Sequence, residues 1–319
     1  MDTKKPFTTF AESLFAFHRT RMFRKEKDRF LSHCTAEFEK LGYENIAIKE
    51  AKNDLGMTSK NLMVGAPDAE VLITAHYDTP GRNGFLMFLN PLLGIFIGVH
   101  LSLLLVYAPI FAFQIFSPTF VESLLLNFVL LIINIACIFI SIAIFASFFI
   151  KNPNNYNDNT SGVIGVYKLA ELIADNPELK SRCAFVLFDH EELGLLGSRA
   201  FAKWRKKQHP DKFGGLVINL DCVGTGNILT VMTKAKHDSW HKIAEFMGNQ
   251  GYDVKKIRGG LSATSDHAPF PNGISLLFQK RSLLGPLYIP RIHSRKDKIC
   301  DLDKIEGLCS SVLKYLEQI

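Results

Sequence analysis

The chain has 319 residues and lacks any Cys-x-x-Cys pair; its six cysteines, Cys34, Cys137, Cys183, Cys222, Cys300 and Cys309, are widely scattered. That pattern excludes a small disulfide framework, and the cysteines read as reduced, mostly buried thiols. No continuous apolar stretch precedes Arg19, so MDTKKPFTTF is not expected to act as a secretory signal and nothing there removes the protein from the cytoplasmic side. There is no basic stripe interleaved with aromatics, so the formal charge of +6 does not argue for nucleic acid, although it would favour anionic lipid. Internal repeats and low-complexity tracts are also missing. Charge itself is absent from two long stretches: residues 83–121 and 123–150 hold no Asp, Glu, Lys or Arg.

A hydrophobic content of 47% and a mean hydropathy of +0.10 are high for a purely soluble chain, and most of that excess sits in those stretches. A hydrocarbon core takes about 20 predominantly apolar residues in helix, and both Pro91–Phe116 and Leu124–Ile150 meet that length. Ser117–Ser123, with Pro118 and Glu122, suits a turn between them. The expectation is a transmembrane helical hairpin over residues 83–151, meeting the lipid bilayer through residues 84–150, inserted into one discontinuous domain formed by residues 1–82 and 152–319. Arg82 and Lys151 flank the pair while the turn carries only Glu122, which places both termini and the main domain of an integral membrane protein in the cytoplasm.

Outside the hairpin the pattern is α/β. Phe30, Cys34, Phe38 and Leu41 repeat at helical spacing before Gly42, which supplies a C-cap. Short strands are expected at Glu44–Lys49 and Asn61–Gly65, and buried strands at Val71–Ala75, Ala184–Phe188, Leu216–Leu220 and Ile274–Phe278. Helices are expected over Ser161–Ala174 and Leu193–Lys207, and a last amphipathic one runs through Leu302, Ile305, Leu308, Val312, Tyr315 and Ile319. Apolar strands alternating with helices imply a mainly parallel mixed sheet with helices on both faces.

Three of the buried strands end in polar residues: His76-Tyr77-Asp78, Asp189-His190-Glu191-Glu192 and Asp221. In open α/β sheets, ligands bind outside the carboxyl ends of strands. Taken singly, each of these has a plainer explanation, such as a helix N-cap for an Asp after a strand, an acidic first helical turn for Glu191-Glu192 or a polar turn for Asn157–Gly162. Taken together they describe clustered carboxylates, which repel unless protons or a cation neutralise them, and a divalent metal is the simplest such cation.

The set His76-x-Asp78, Asp158-Asn159-x-Ser161-Gly162, Glu191-Glu192-x-Gly194-Leu195-x-Gly197-Ser198, Asp221, Ser265-Asp266-His267 and His293 resembles the zinc aminopeptidase family of metallopeptidase clan MH, relatives of bacterial leucine aminopeptidases, glutamate carboxypeptidase-like enzymes and glutaminyl cyclases. The resemblance covers about residues 11–80 and 152–319 and implies a phosphorylase/hydrolase-like zinc exopeptidase fold. It further implies two Zn2+ ions bridged by Asp158, with His76 and Asp221 completing one site and Glu192 and His293 the other. Asp78 would then orient the His76 imidazole, and Glu191 would act as general base on the attacking water. The expected activity is that of a membrane-anchored aminopeptidase acting on peptide substrates. Two alternatives stand beside it, a glutaminyl cyclase-like acyl transferase with one zinc and a non-catalytic membrane-bound binding protein of the same fold. Ser265-Asp266-His267 reads equally as loop-ordering or substrate-contacting.

Overall fold

A computed structural model describes residues 5–81, 149–234, 237–259, 264–283 and 285–319, with Ile132, Ile135 and Phe139. The chain divides into two compact units: residues 1–79 with 152–319, and residues 80–151.

The first unit is built on a mixed sheet. Its strands are β1 (Ile46–Lys52), β2 (Thr58–Val64), β3 (Val71–His76), β4 (Cys183–Phe188), β5 (Leu216–Leu220), β6 (Ile228–Thr233), β7 (Asp253–Arg258), β8 (Gly273–Arg281) and β9 (Leu287–Tyr288). They lie in the order β1-β2-β4-β3-β5-β8-β6-β7, with β9 paired to β8. The centre, β4-β3-β5-β8, is parallel, whereas the β1-β2, β2-β4, β6-β8 and β8-β9 pairings are antiparallel. Every residue of β3, β4 and β5 is buried, as the continuous apolar runs demand of a sheet covered on both sides.

Alternate residues of these strands feed two cores. Val71, Ile73, Phe185, Leu187, Ile218 and Leu220 pack with α1 (Pro6–Phe17), α2 (Arg24–Lys40), α3 (Ser161–Ile173), α6 (Ser239–Asn249) and α7 (Leu302–Leu316). Leu72, Ala184, Val186 and Val217 face the other way, onto Phe201 and Ala202 of α5 (Leu196–Gln208) and onto Phe270. The short helix α4 (Pro177–Arg182) leads directly into β4. This two-sided burial points the carboxyl ends of the parallel strands at one edge, and the polar residues that follow them gather there.

The structure moves several predicted boundaries. The two short strands fall at Ile46–Lys52 and Thr58–Val64, and α5 begins at Leu196, because Glu191–Leu195 is a loop with Gly194 (φ 95°) and Leu195 (φ 62°) in the left-handed region. Helix α1 and the β6-α6-β7 stretch are additional elements. The expectation of an integral membrane protein is overturned: among the described residues no helix is long and apolar enough to cross a membrane. The longest described helix, α2, has 17 residues and is rich in charge, while a span requires about 20 predominantly apolar ones. Missing charge records hydrophobicity; it does not by itself define an unbroken helix. The predicted hairpin and its contact with lipid fall, apart from a few isolated positions, outside the described residues.

Candidate metal centre

β3 delivers His76, which is buried. The ladder continues one step beyond the strand, where Tyr77 N donates to Phe188 O at 2.9 Å. Beneath this turn lies buried Arg21, whose backbone N–H donates to Thr79 Oγ1 at 2.9 Å and whose guanidinium donates to the Tyr77 carbonyl. Asp78 has two jobs. One of its oxygens lies 3.5 Å from His76 Nδ1, and the Asp78 carbonyl lies 3.2 Å from the same nitrogen. Its carboxylate also accepts the backbone N–H groups of Glu191 (3.0 Å) and Glu192 (3.2 Å). The side chain two residues past His76 thus fixes the loop that follows β4.

That loop is tied from its other end by Asp189. Its Oδ1 accepts from Lys27 Nζ of α2 at 2.5 Å, and its Oδ2 accepts from Lys60 N of β2 at 3.1 Å. Gly197, at the start of α5, is glycine for a steric reason: a Cβ there would collide with the Asp189 carbonyl.

Asp158 lies in an irregular turn, Tyr156–Thr160, that leads into α3; the Asp158–Asn159 peptide is cis. The asparagines and serine around it are fastened to the end of β5. Asn159 Nδ2 donates to the Leu220 carbonyl (2.9 Å), and Asn159 Oδ1 accepts from Cys222 N (3.1 Å) and Gly162 N (3.0 Å). Asn157 Oδ1 accepts from Gly224 N (2.9 Å), and Ser161 Oγ accepts from Val223 N (2.9 Å). Gly162 lies so close to the Leu220 carbonyl and the Asn159 side chain that a Cβ has no room. On its far side the turn is held by Asp297, whose carboxylate accepts Asn157 N at 3.0 Å and Asp158 N at 3.0 Å.

These supports bring the five residues singled out in the sequence together. His76 Nε2 lies 3.4 Å from Asp158 Oδ1 and 3.8 Å from Asp221 Oδ1. His293 Nε2, on a residue with φ 53°, lies 2.9 Å from Asp158 Oδ2 and 3.2 Å from Glu192 Oε2. Two triads result, His76–Asp158–Asp221 and Asp158–Glu192–His293, each with ligand atoms within 4.8 Å of one another, and Glu191 joins His76 and Glu192 in a third. Asp221 is oriented by Ser265 Oγ, which donates at 2.6 Å and itself accepts from Asn219 Nδ2 at 2.9 Å. Ser265 therefore has an ordering role. Asp266 and His267 are buried beside it, and among the described residues neither ring nitrogen of His267 has a hydrogen-bond partner. His190 packs at the strand end, 2.9 Å from Ser59 Oγ.

The electrostatics are those of a site short of positive charge. Burial opposes charging of His76, yet Glu191, Asp158, Asp221 and Asp78 outweigh it and lift its pKa well above the ordinary value. Burial likewise opposes charging of His293, and Glu192 and Asp158 lift it. Burial pushes Glu192 up to about 7, with Asp158 adding to the rise and His293 opposing it. Glu191 is driven well above the carboxylate range by burial, reinforced by Glu192, Asp266 and Asp221. Asp158 goes down instead, because His293 and His76 outweigh its burial. Among the described residues Glu192 Oε1 is buried without a hydrogen-bond donor. Two imidazoles, three carboxylates and that orphaned oxygen fit a divalent cation of the zinc type.

Residues 151–306 match Peptidase family M28. The M28 match takes in Asp158, Glu192, Asp221 and His293; His76 and Asp78 precede it. No curated protein matches in sequence. Among solved structures, the Legionella pneumophila LapA aminopeptidase superposes with a TM-score of 0.62 at 15% identity, over 98% of this chain and 70% of that one. A Zn-dependent exopeptidase from Parabacteroides distasonis gives 0.60 at 16% identity, over 98% and 96%. The Porphyromonas gingivalis glutaminyl cyclase gives 0.60 at 17%, over 98% of both chains. At such identities the likeness is one of fold, a mixed α/β sheet between helices. Family match and fold together support a zinc peptidase, and with the donor set they point to zinc as its metal.

Two supporting roles escaped the sequence reading, which quoted Asn159 in the Asp158-Asn159-x-Ser161-Gly162 motif without giving it one. Asp297 lies four residues past His293 and Asn159 immediately follows Asp158, but nothing local marks either as a clamp. Their roles appear only when loops far apart in the chain meet.

Proposed function

We propose that this chain is a zinc-dependent aminopeptidase that removes N-terminal residues from peptides. The observation that carries the reading is the pair of triads sharing Asp158, one carboxylate oxygen toward His76 and the other toward His293. In this reading His76, Asp158 and Asp221 hold one zinc ion and Asp158, Glu192 and His293 a second. Bound zinc supplies Lewis acidity, polarising the scissile carbonyl and lowering the pKa of a water. The remaining work belongs to side chains. Glu191 accepts the proton of the attacking water on a carboxylate oxygen and returns it to the leaving amine nitrogen. Asp78 keeps Glu191 in place through its backbone N–H and fixes the ring orientation of His76 from Nδ1. Ser265 and Asp297 hold Asp221 and Asp158 against the repulsion between them.

A glutaminyl cyclase-like reaction is the second reading, favoured by the superposition of a glutaminyl cyclase over 98% of both chains. Turnover separates the two. Zinc-loaded protein is given aminoacyl-anilides and short peptides alongside N-terminal glutaminyl peptides, with metal content measured by elemental analysis. Release of free amino acid with two zinc ions per chain is the expected result. Cyclisation of glutaminyl peptides with one ion per chain overturns the aminopeptidase reading, and binding without turnover indicates a non-catalytic protein.

A further inference from the structure

Beside the His293 loop lies a second cavity, of about 250 Å³, lined by Thr225, Lys280, Tyr288, Pro290, Arg291, Asp297 and Ile299. Its walls follow from the β8-β9 hairpin. Lys280 of β8 and Tyr288 of β9 are directly opposite in the antiparallel register, so their side chains project from the same face. The chain leaves β9, turns at Pro290 and reaches His293 three residues later, with Arg291 (φ 62°) held by Ser294 N and Ser294 Oγ on its carbonyl. Asp297 also lines the cavity.

The charge of this cavity is unbalanced. Among the described residues neither Lys280 nor Arg291 has an ion pair or a side-chain hydrogen bond. The one carboxylate present, Asp297, is committed to the backbone N–H groups of Asn157 and Asp158. A cavity offering a guanidinium, an ammonium and a phenol hydroxyl, with Pro290 and Ile299 as apolar wall, suits a carboxylate. Its position narrows the source. Asp297, one of the lining residues, accepts the backbone N–H of Asp158 at 3.0 Å, the residue whose carboxylate both triads share. Arg291 precedes the proposed ligand His293 by two residues, so at most about 7 Å of backbone separates them, and an extended peptide, advancing roughly 3.3–3.6 Å per residue, spans that with about two residues beyond a bond cleaved at the centre.

We propose that Lys280, Arg291 and Tyr288 form a carboxylate subsite that receives the free C-terminus of a short peptide substrate. The subsite rests on the aminopeptidase reading for its position along the substrate but makes a separate claim, that the enzyme selects di- and tripeptide acids over longer or blocked chains. The test compares Leu-Gly and Leu-Gly-Gly with their C-terminal amides, using zinc-loaded full-length protein and the variants Lys280→Gln, Arg291→Gln and Arg291→Glu. Leu-Asp-amide and Leu-Glu-amide supply the carboxylate from a side chain instead. Wild type should favour free acids by roughly tenfold or more in kcat/KM, mostly through KM, the scale of a charge-assisted hydrogen bond. Each Gln variant should shrink that ratio, and Arg291→Glu should reverse it. A wild-type ratio near one, or a ratio untouched by all three variants, overturns the subsite. Preference for the acidic side chains over the free C-terminus also overturns it, placing a side-chain pocket there instead. If no peptide is hydrolysed, the aminopeptidase reading fails while the subsite is still decided by calorimetry, where Gly-Gly must bind wild type more tightly than Gly-Gly-amide and lose that advantage in Arg291→Glu.

Discussion

Replacing Asp297 by alanine should weaken zinc binding without altering any proposed ligand. The side chain is 3% exposed and accepts two backbone N–H groups, those of Asn157 and Asp158. Burial raises its pKa to about 7, against the pull of these two donors. Truncation leaves both donors buried and unpaired, at about 1–3 kcal/mol each. Because Asp158 is the residue between His76 and His293, loosening its turn disturbs both triads at once. Loss of an outer-shell partner of a metal ligand lowers metal affinity by roughly 10–100-fold, and that is the range expected in competition titrations with a chromophoric chelator. Asp297→Asn keeps one acceptor oxygen and should fall between wild type and alanine. Thermal unfolding of the metal-free forms gives the control for a global effect. If Asp297→Ala binds zinc as wild type does while its fold is intact, the turn is held by its asparagines alone and the clamp argument is wrong.

Three further outcomes are expected. Glu191→Gln should retain zinc and fold while turnover falls by roughly 10²-fold or more; near wild-type rates on a good peptide would remove Glu191 from its role as base. In the metal-free protein, His76, His293, Glu191 and Glu192 all hold protons more tightly than in the unfolded chain, so their contribution to stability is full at low pH and is lost as pH rises through the elevated folded values; zinc uptake near pH 7 should release protons, read by calorimetry in buffers of differing ionisation heat. Gly162→Ala forces a Cβ against the Leu220 carbonyl and the Asn159 side chain and should destabilise the fold by about 1–3 kcal/mol in denaturant titration, whereas the same change at exposed Gly248, where a Cβ meets nothing, should be stabilising or neutral because it lies in helix.

The legible part of the fold was the part buried on both sides. Val71–Ala75, Ala184–Phe188 and Leu216–Leu220 are short apolar runs that end abruptly in His or Asp, and both the strand and the position of the polar residue follow from that contrast. β7, with the sequence DVKKIR, sits at the sheet edge and buries little beyond Val254 and Ile257, so its pattern is drowned by charge. Clamps such as Asp297 and Asn159 are illegible for a different reason: the bonds join segments more than 60 residues apart. The membrane localisation read from the apolar stretches failed because hydrophobicity was taken as a span, a property of helix length and continuity, and among the described residues no helix is long and apolar enough to cross a membrane.

One isolated pairing at the margin of the second unit has a consequence for the whole chain. Gly81 and Lys151 are bridged as antiparallel partners, so these two positions are held side by side however many residues separate them in the chain. The entropy of closing a loop grows only with the logarithm of its length; shrinking it from about 70 residues to about 4 would recover only about 2.5 kcal/mol. Loop-closure entropy alone therefore sets almost no limit on how many residues lie between Gly81 and Lys151.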